Sequence, residues 1–115
     1  MGGIKQSPKR MAARLRQASQ HDSCDLRFRI DLMGVRAENV RKVRTGDVLD
    51  VVLLTDGKLR AVICQTSQGD PVGAVSAFPG LARLIDCMEQ SVRYSALVEK
   101  TSGQSCSVFV SRSAE

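Results

Sequence analysis

From Leu26 to the end of the chain, apolar side chains recur mostly at every second position, and glycine-bearing turns punctuate them. A chain patterned this way is committed to β-strands, because only a strand sends alternate side chains to opposite faces. Leu26, Phe28, Ile30 and Leu32 alternate with Arg27, Arg29, Asp31 and Met33, and Gly34 ends the run. Residues 48–54 are almost continuously apolar, which predicts a strand that is central or covered on both faces. Asp56-Gly57 is a hairpin signal that returns the chain along residues 59–65. Gln68-Gly69-Asp70-Pro71 turns it again into a short strand over 72–76. The period then switches once. After Phe78-Pro79-Gly80, the residues Leu81, Leu84, Ile85 and Met88 fall on one helical face, predicting a helix over 81–90. Strands over 92–100 and 106–111 follow, joined by Thr101-Ser102-Gly103-Gln104. The expectation is an α+β, mainly β domain over residues 26–115: a small, partly open β-barrel of six strands with one internal helix.

Residues 1–25 read differently, as a basic N-terminal segment that is partly helical or flexible. Ser7-Pro8 suits a helix cap and first turn. Met11, Ala12 and Leu15 then share one side, with Lys9, Arg10, Arg14 and Arg16 around the rest. So thin an apolar stripe needs a partner to hold the helix, which makes Met11 and Leu15 candidate docking residues. The whole chain of 115 residues fits one domain that needs no metal or disulfide staple.

Catalysis finds little support in the residues. His21 is the lone histidine and sits in a polar spacer, so no nucleophile has an obvious base. Asp47, Asp50, Asp56 and Asp70 fall at turns and strand ends, where carboxylates bond local backbone. Neither G-x-x-x-x-G-K-[ST] nor G-x-G-x-x-G occurs. Cys24, Cys64, Cys87 and Cys106 are too widely spaced for a zinc motif. Three of them lie in apolar runs, so all four are expected as free, mostly buried thiols of a cytoplasmic protein. No enzyme activity, cofactor or metal is expected. Residues 1–20 lack the apolar stretch of a secretory leader, and no run approaches a membrane-spanning length.

Charge is where the chain becomes informative. Residues 1–44 hold eleven Lys/Arg against four Asp/Glu, whereas residues 45–115 hold six against eight. A positive half attracts polyanions through its field and through counterion release. Arg27 and Arg29 share one face of the first strand, and Arg36, Arg41, Lys42 and Arg44 crowd the connection after it. Folded over that strand, the connection would gather six cations onto one surface able to neutralise phosphates. Aromatics are few (Phe28, Phe78, Tyr94 and Phe109), so base stacking has little material.

The stretch from Leu32 onward resembles the HIRAN domain, a small β-barrel allied in shape to OB folds. Leu32-Met33-Gly34 followed by Val43-Arg44-Thr45-Gly46-Asp47-Val48-Leu49 is similar to that family's strand-Gly-loop-strand lead-in. Gly69-Asp70-Pro71-Val72-Gly73 fits its short-strand turn. Leu81-Ala82-Arg83-Leu84-Ile85-Asp86, leading to Tyr94-Ser95-Ala96-Leu97-Val98, fits its helix and following strand. The resemblance covers about 80 residues and implies a DNA-binding module, of a kind found in repair and remodelling proteins and in stand-alone bacterial ones. The best understood member of that family grips a free 3′ end of single-stranded DNA, stacking a base between aromatic rings. This chain has Val35, Arg36, Ala37 and Glu38 where family members often carry aromatics, and Ala74 after the turn glycine. The scaffold therefore carries over and the end pocket does not. The expected function is a non-catalytic module contacting nucleic-acid backbone, most simply DNA. The alternative is a protein-interaction or regulatory subunit that docks through its N-terminal helix or edge strands, onto a protein partner or a second copy.

Overall fold

The structure, a computed structural model, describes residues 24–113. The N-terminal basic helix, Met11, Leu15 and His21 lie outside them. Six strands are present: β1 (Arg27–Asp31), β2 (Val48–Asp56), β3 (Leu59–Gln65), β4 (Pro71–Ala74), β5 (Tyr94–Ser102) and β6 (Ser105–Arg112). Two helices join them, α1 (Ala37–Val40) between β1 and β2, and α2 (Leu81–Glu89) between β4 and β5. All strands pair antiparallel in one sheet of order β1-β6-β5-β2-β3-β4. The period-two and period-3.6 readings thus place every strand and α2 within a few residues. The expected mainly β, partly open barrel is what forms.

The sheet curls until its two edges nearly meet. Met33, just past β1, exchanges both backbone hydrogen bonds with Ala74 at the end of β4 (2.8 Å each way). Gly73 makes this approach possible. A Cβ there would lie 2.8 Å from the Cβ of Leu32 and 3.1 Å from the Met33 carbonyl oxygen. Only a residue without a side chain admits a backbone that close. Closure goes no further along β1. The Leu32 amide donates to Cys106 of β6 at 2.9 Å, whereas Met33 turns its backbone toward β4. Alternation then sends the backbone groups of Arg27, Arg29 and Asp31 to the side away from β6. Among the described residues, that edge of β1 has no strand beside it.

Val51, Val62, Cys64, Val72, Ala96, Val98, Val108 and Val110 line the interior, each less than a tenth exposed. β2 departs from the expectation of two covered faces. It is central, yet it buries only Leu49 and Val51, and Val48 and Leu54 stand more than half exposed on the outside. The helices plug opposite ends. α1 sits where β2 begins and β3 ends, with Val40 and Val43 pointing inward. α2 sits where β2 ends and β3 begins, burying Leu84 and Cys87, with an Arg60–Glu89 ion pair of 2.7 Å beside it.

Cysteine chemistry differs from the expectation of four free thiols. Cys24, just ahead of β1, is disulfide-bonded to Cys87 of α2, at a sequence separation of 63 and with Cα atoms 5.7 Å apart. Barrel closure brings the start of β1 to the α2 end, a proximity that spacing along the chain does not reveal. Cys64 and Cys106 remain free and buried.

Candidate nucleic-acid interface

The connection from Gly34 to Asp47 is pinned to the barrel by backbone, which gives its charged side chains a fixed base. The Arg36 amide donates to Val72 at 3.0 Å, and Gly46 donates to Val98 at 2.8 Å. Buried Asn39 donates its side-chain amide to the Pro71 carbonyl at 2.6 Å, tying α1 to the start of β4. Asp47 closes the following turn by accepting from the Arg44 amide at 2.9 Å. Because Val40 and Val43 face the core, Arg36, Arg41, Lys42 and Arg44 are left exposed at the α1 end.

Among the described residues, three of the six cations hold carboxylate partners and three do not. Arg27 lies at the start of β1, toward the α2 end, and pairs with Asp25 at 3.4 Å. Arg29 lies mid-strand, where it pairs with Glu99 at 3.0 Å and stacks 5.0 Å above the centre of the Phe109 ring. Lys42 pairs with Asp70 at 3.1 Å. Arg36, Arg41 and Arg44 make no ion pair among the described residues. Of these six, the cations without an ion pair therefore all lie on the connection around α1, and the β1 arginines are already compensated. Exposed ion pairs of this kind are weak, but they lower the charge offered to a ligand.

The aromatic rings offer little to a nucleobase. Phe28 and Phe78 stack on each other at 4.4 Å, both packed against the core. Tyr94 is buried and donates its hydroxyl to the Cys24 carbonyl. Its ionisation is pushed up by burial first and by nearby Asp25, with Arg112 opposing. Phe109 is the remaining ring, and Arg29 covers it.

The thiols are equally unreactive. Burial, reinforced by neighbouring Cys106, pushes Cys64 up to about 12, and burial raises Cys106 as well. A neutral, buried thiol is neither a nucleophile nor a metal ligand at neutral pH. Among the described residues no three of His, Cys, Asp and Glu come together as a metal site would require. No helix among them is long and apolar enough to cross a membrane.

Comparisons with known proteins bear on the fold. No family model matches the chain, and no curated protein matches it. A crystal structure of a Lactobacillus plantarum protein, a structural genomics target, is similar at 18% identity with a TM-score of 0.58. The match covers 76% of this chain and 96% of that one. At that identity the likeness supports the shared barrel and nothing about ligands.

Proposed function

We propose that this protein is a non-catalytic binding module that grips nucleic-acid backbone electrostatically at the α1 end of its barrel. The observation that carries the reading is the trio Arg36, Arg41 and Arg44, exposed and unpaired on a connection already anchored to the sheet. A tethered connection loses little backbone freedom on binding, so its charges act at low entropic cost. Guanidinium groups suit the bidentate geometry of phosphate oxygens. The HIRAN-like pattern of the sequence agrees with DNA as the polymer. With Phe28, Phe78 and Tyr94 committed to packing, the reading predicts no preference for free ends over internal positions. It also belongs with a cytoplasmic location, where glutathione attacks exposed disulfides. Cys24 and Cys87, at 6% and 2% exposure, are shielded from such attack.

Fluorescence anisotropy with labelled oligonucleotides tests the reading. Three phosphate contacts should cost roughly 20-fold in single-strand affinity between 50 and 200 mM salt. Reversing Arg36, Arg41 and Arg44 to Glu should abolish binding, while the Arg27→Ala change should leave it nearly intact. A folded wild type that binds no probe at low salt would end this proposal. The second reading, docking of protein, draws on the unpaired edge of β1.

A further inference from the structure

We infer that the free edge of β1 is a self-pairing site, joining two copies of this chain antiparallel across a twofold axis at Arg29. The first support is backbone chemistry. Arg27, Arg29 and Asp31 send their amides and carbonyls away from β6, toward a side that no strand among the described residues occupies. Such an edge is a template for another strand. The groove of about 620 Å³ that Arg29 and Asp31 line runs over the outer face toward Glu99 and Ser107 of β5 and β6, with Ser76 on the edge side.

The second support is the sequence of the edge, which is complementary to itself. Met33 has already spent its edge-facing groups on Ala74, so pairing is confined to residues 27–31. Centred on Arg29, an antiparallel pair sets Arg27 opposite the second copy's Asp31, and Asp31 opposite the second copy's Arg27. Both side chains stand exposed on the outer face, so each copy contributes one half of two identical ion pairs, with Arg27 shared between its own Asp25 and the second copy's Asp31. On the inner face the same register sets Phe28 opposite the second copy's Ile30, apolar against apolar. The like charges meeting at the axis are already answered within each copy, by Glu99 and by the Phe109 ring. Asp31 is held ready by the Ser107 hydroxyl, which donates to one carboxylate oxygen at 2.5 Å and leaves the other free. A parallel partner would instead oppose Arg27 with arginine and Asp31 with aspartate. The twofold antiparallel arrangement is isologous, so it closes at two copies and makes no fibre.

Sedimentation of the full chain over a broad concentration range tests this. The wild type should show a reversible monomer–dimer equilibrium, as a short strand pair gives a weak interface. Arg27→Asp alone should raise the dissociation constant roughly tenfold, because two attractive cross-strand pairs become repulsive. Asp31→Arg alone should do the same, and the double variant should recover the wild-type value. Arg29→Pro removes an amide that bonds nothing within the monomer, so it should abolish dimerisation and leave the β-sheet spectrum unchanged. A wild type that stays monomeric throughout overturns the proposal. So does a dimer that ignores the single changes, or a double variant that fails to recover while melting as the wild type does.

Discussion

The two ends of the barrel are closed by helices, yet they are closed by different chemistry. At the α2 end, Leu84 and Cys87 are buried, and the Cys24–Cys87 bond ties the start of β1 to the helix covalently. At the α1 end the helix is a single turn, fixed through Asn39, the Arg36 amide and two valines. Among the described residues, Glu89 of α2 is paired with Arg60, and Arg36, Arg41 and Arg44 beside α1 make no ion pair. One end is built to hold, and the other keeps its charges available.

The largest effect that would sharpen this contrast comes from the covalent end. Replacing Cys24 and Cys87 with Ala frees a loop of 63 residues, which chain entropy values at about 4 kcal/mol of stability. Denaturant titration would measure it. A thiol assay on the unfolded, unreduced wild type should find the thiols of Cys64 and Cys106 and no others among the described residues. A loss of under about 1 kcal/mol would make the two ends energetically alike.

A smaller effect is expected at the polar end. Asn39→Ala leaves the Pro71 carbonyl without its side-chain donor, which should cost about 1–2 kcal/mol. It should also loosen the connection bearing the arginines, so nucleic-acid affinity should fall although no charge has changed. Measuring both on one variant tests whether anchoring and binding are linked.

The smallest effect on stability belongs to the charges themselves. Reversing Arg36, Arg41 and Arg44 to Glu should shift unfolding by no more than about 0.5 kcal/mol, since the three are exposed and unpaired. A large destabilisation would mean that they hold the fold together and are not kept free for a ligand.

What was legible in the sequence follows how local each signal is. Strand alternation and the i, i+3, i+4 face of α2 are written in neighbouring residues, so their placement survives in the structure. α1 was passed over because Arg41, Lys42 and Arg44 drew the reading toward a loop, although Ala37, Val40 and Val43 recur at helical spacing. The disulfide had no local signal, because its partners are brought together only when the sheet curls. The candidate site was half legible. Arg36, Arg41 and Arg44 share the connection around α1, and Arg29 pairs with Glu99, whose carbonyl accepts from Thr45 of that connection, but Arg27 stands apart from them. A strand carries its residues apart at about 3.3 Å each, so Arg27 lies at the other end of the barrel.

The pairing of β1 with β6 has a consequence in time. Arg27 is opposite Ser111, so the first strand of the barrel is matched only by the last. Contacts that distant in sequence pay their loop-closure entropy before they return anything, which places such barrels among the slow folders. On the ribosome, β2 and β3 can zip through their two-residue turn as soon as they emerge, while β1 must wait for nearly the whole domain to be synthesised. During that interval both edges of β1 are bare. Its alternating Arg-Phe-Arg-Ile-Asp then keeps an unfinished chain soluble, since charge at every second position discourages stacking with strangers.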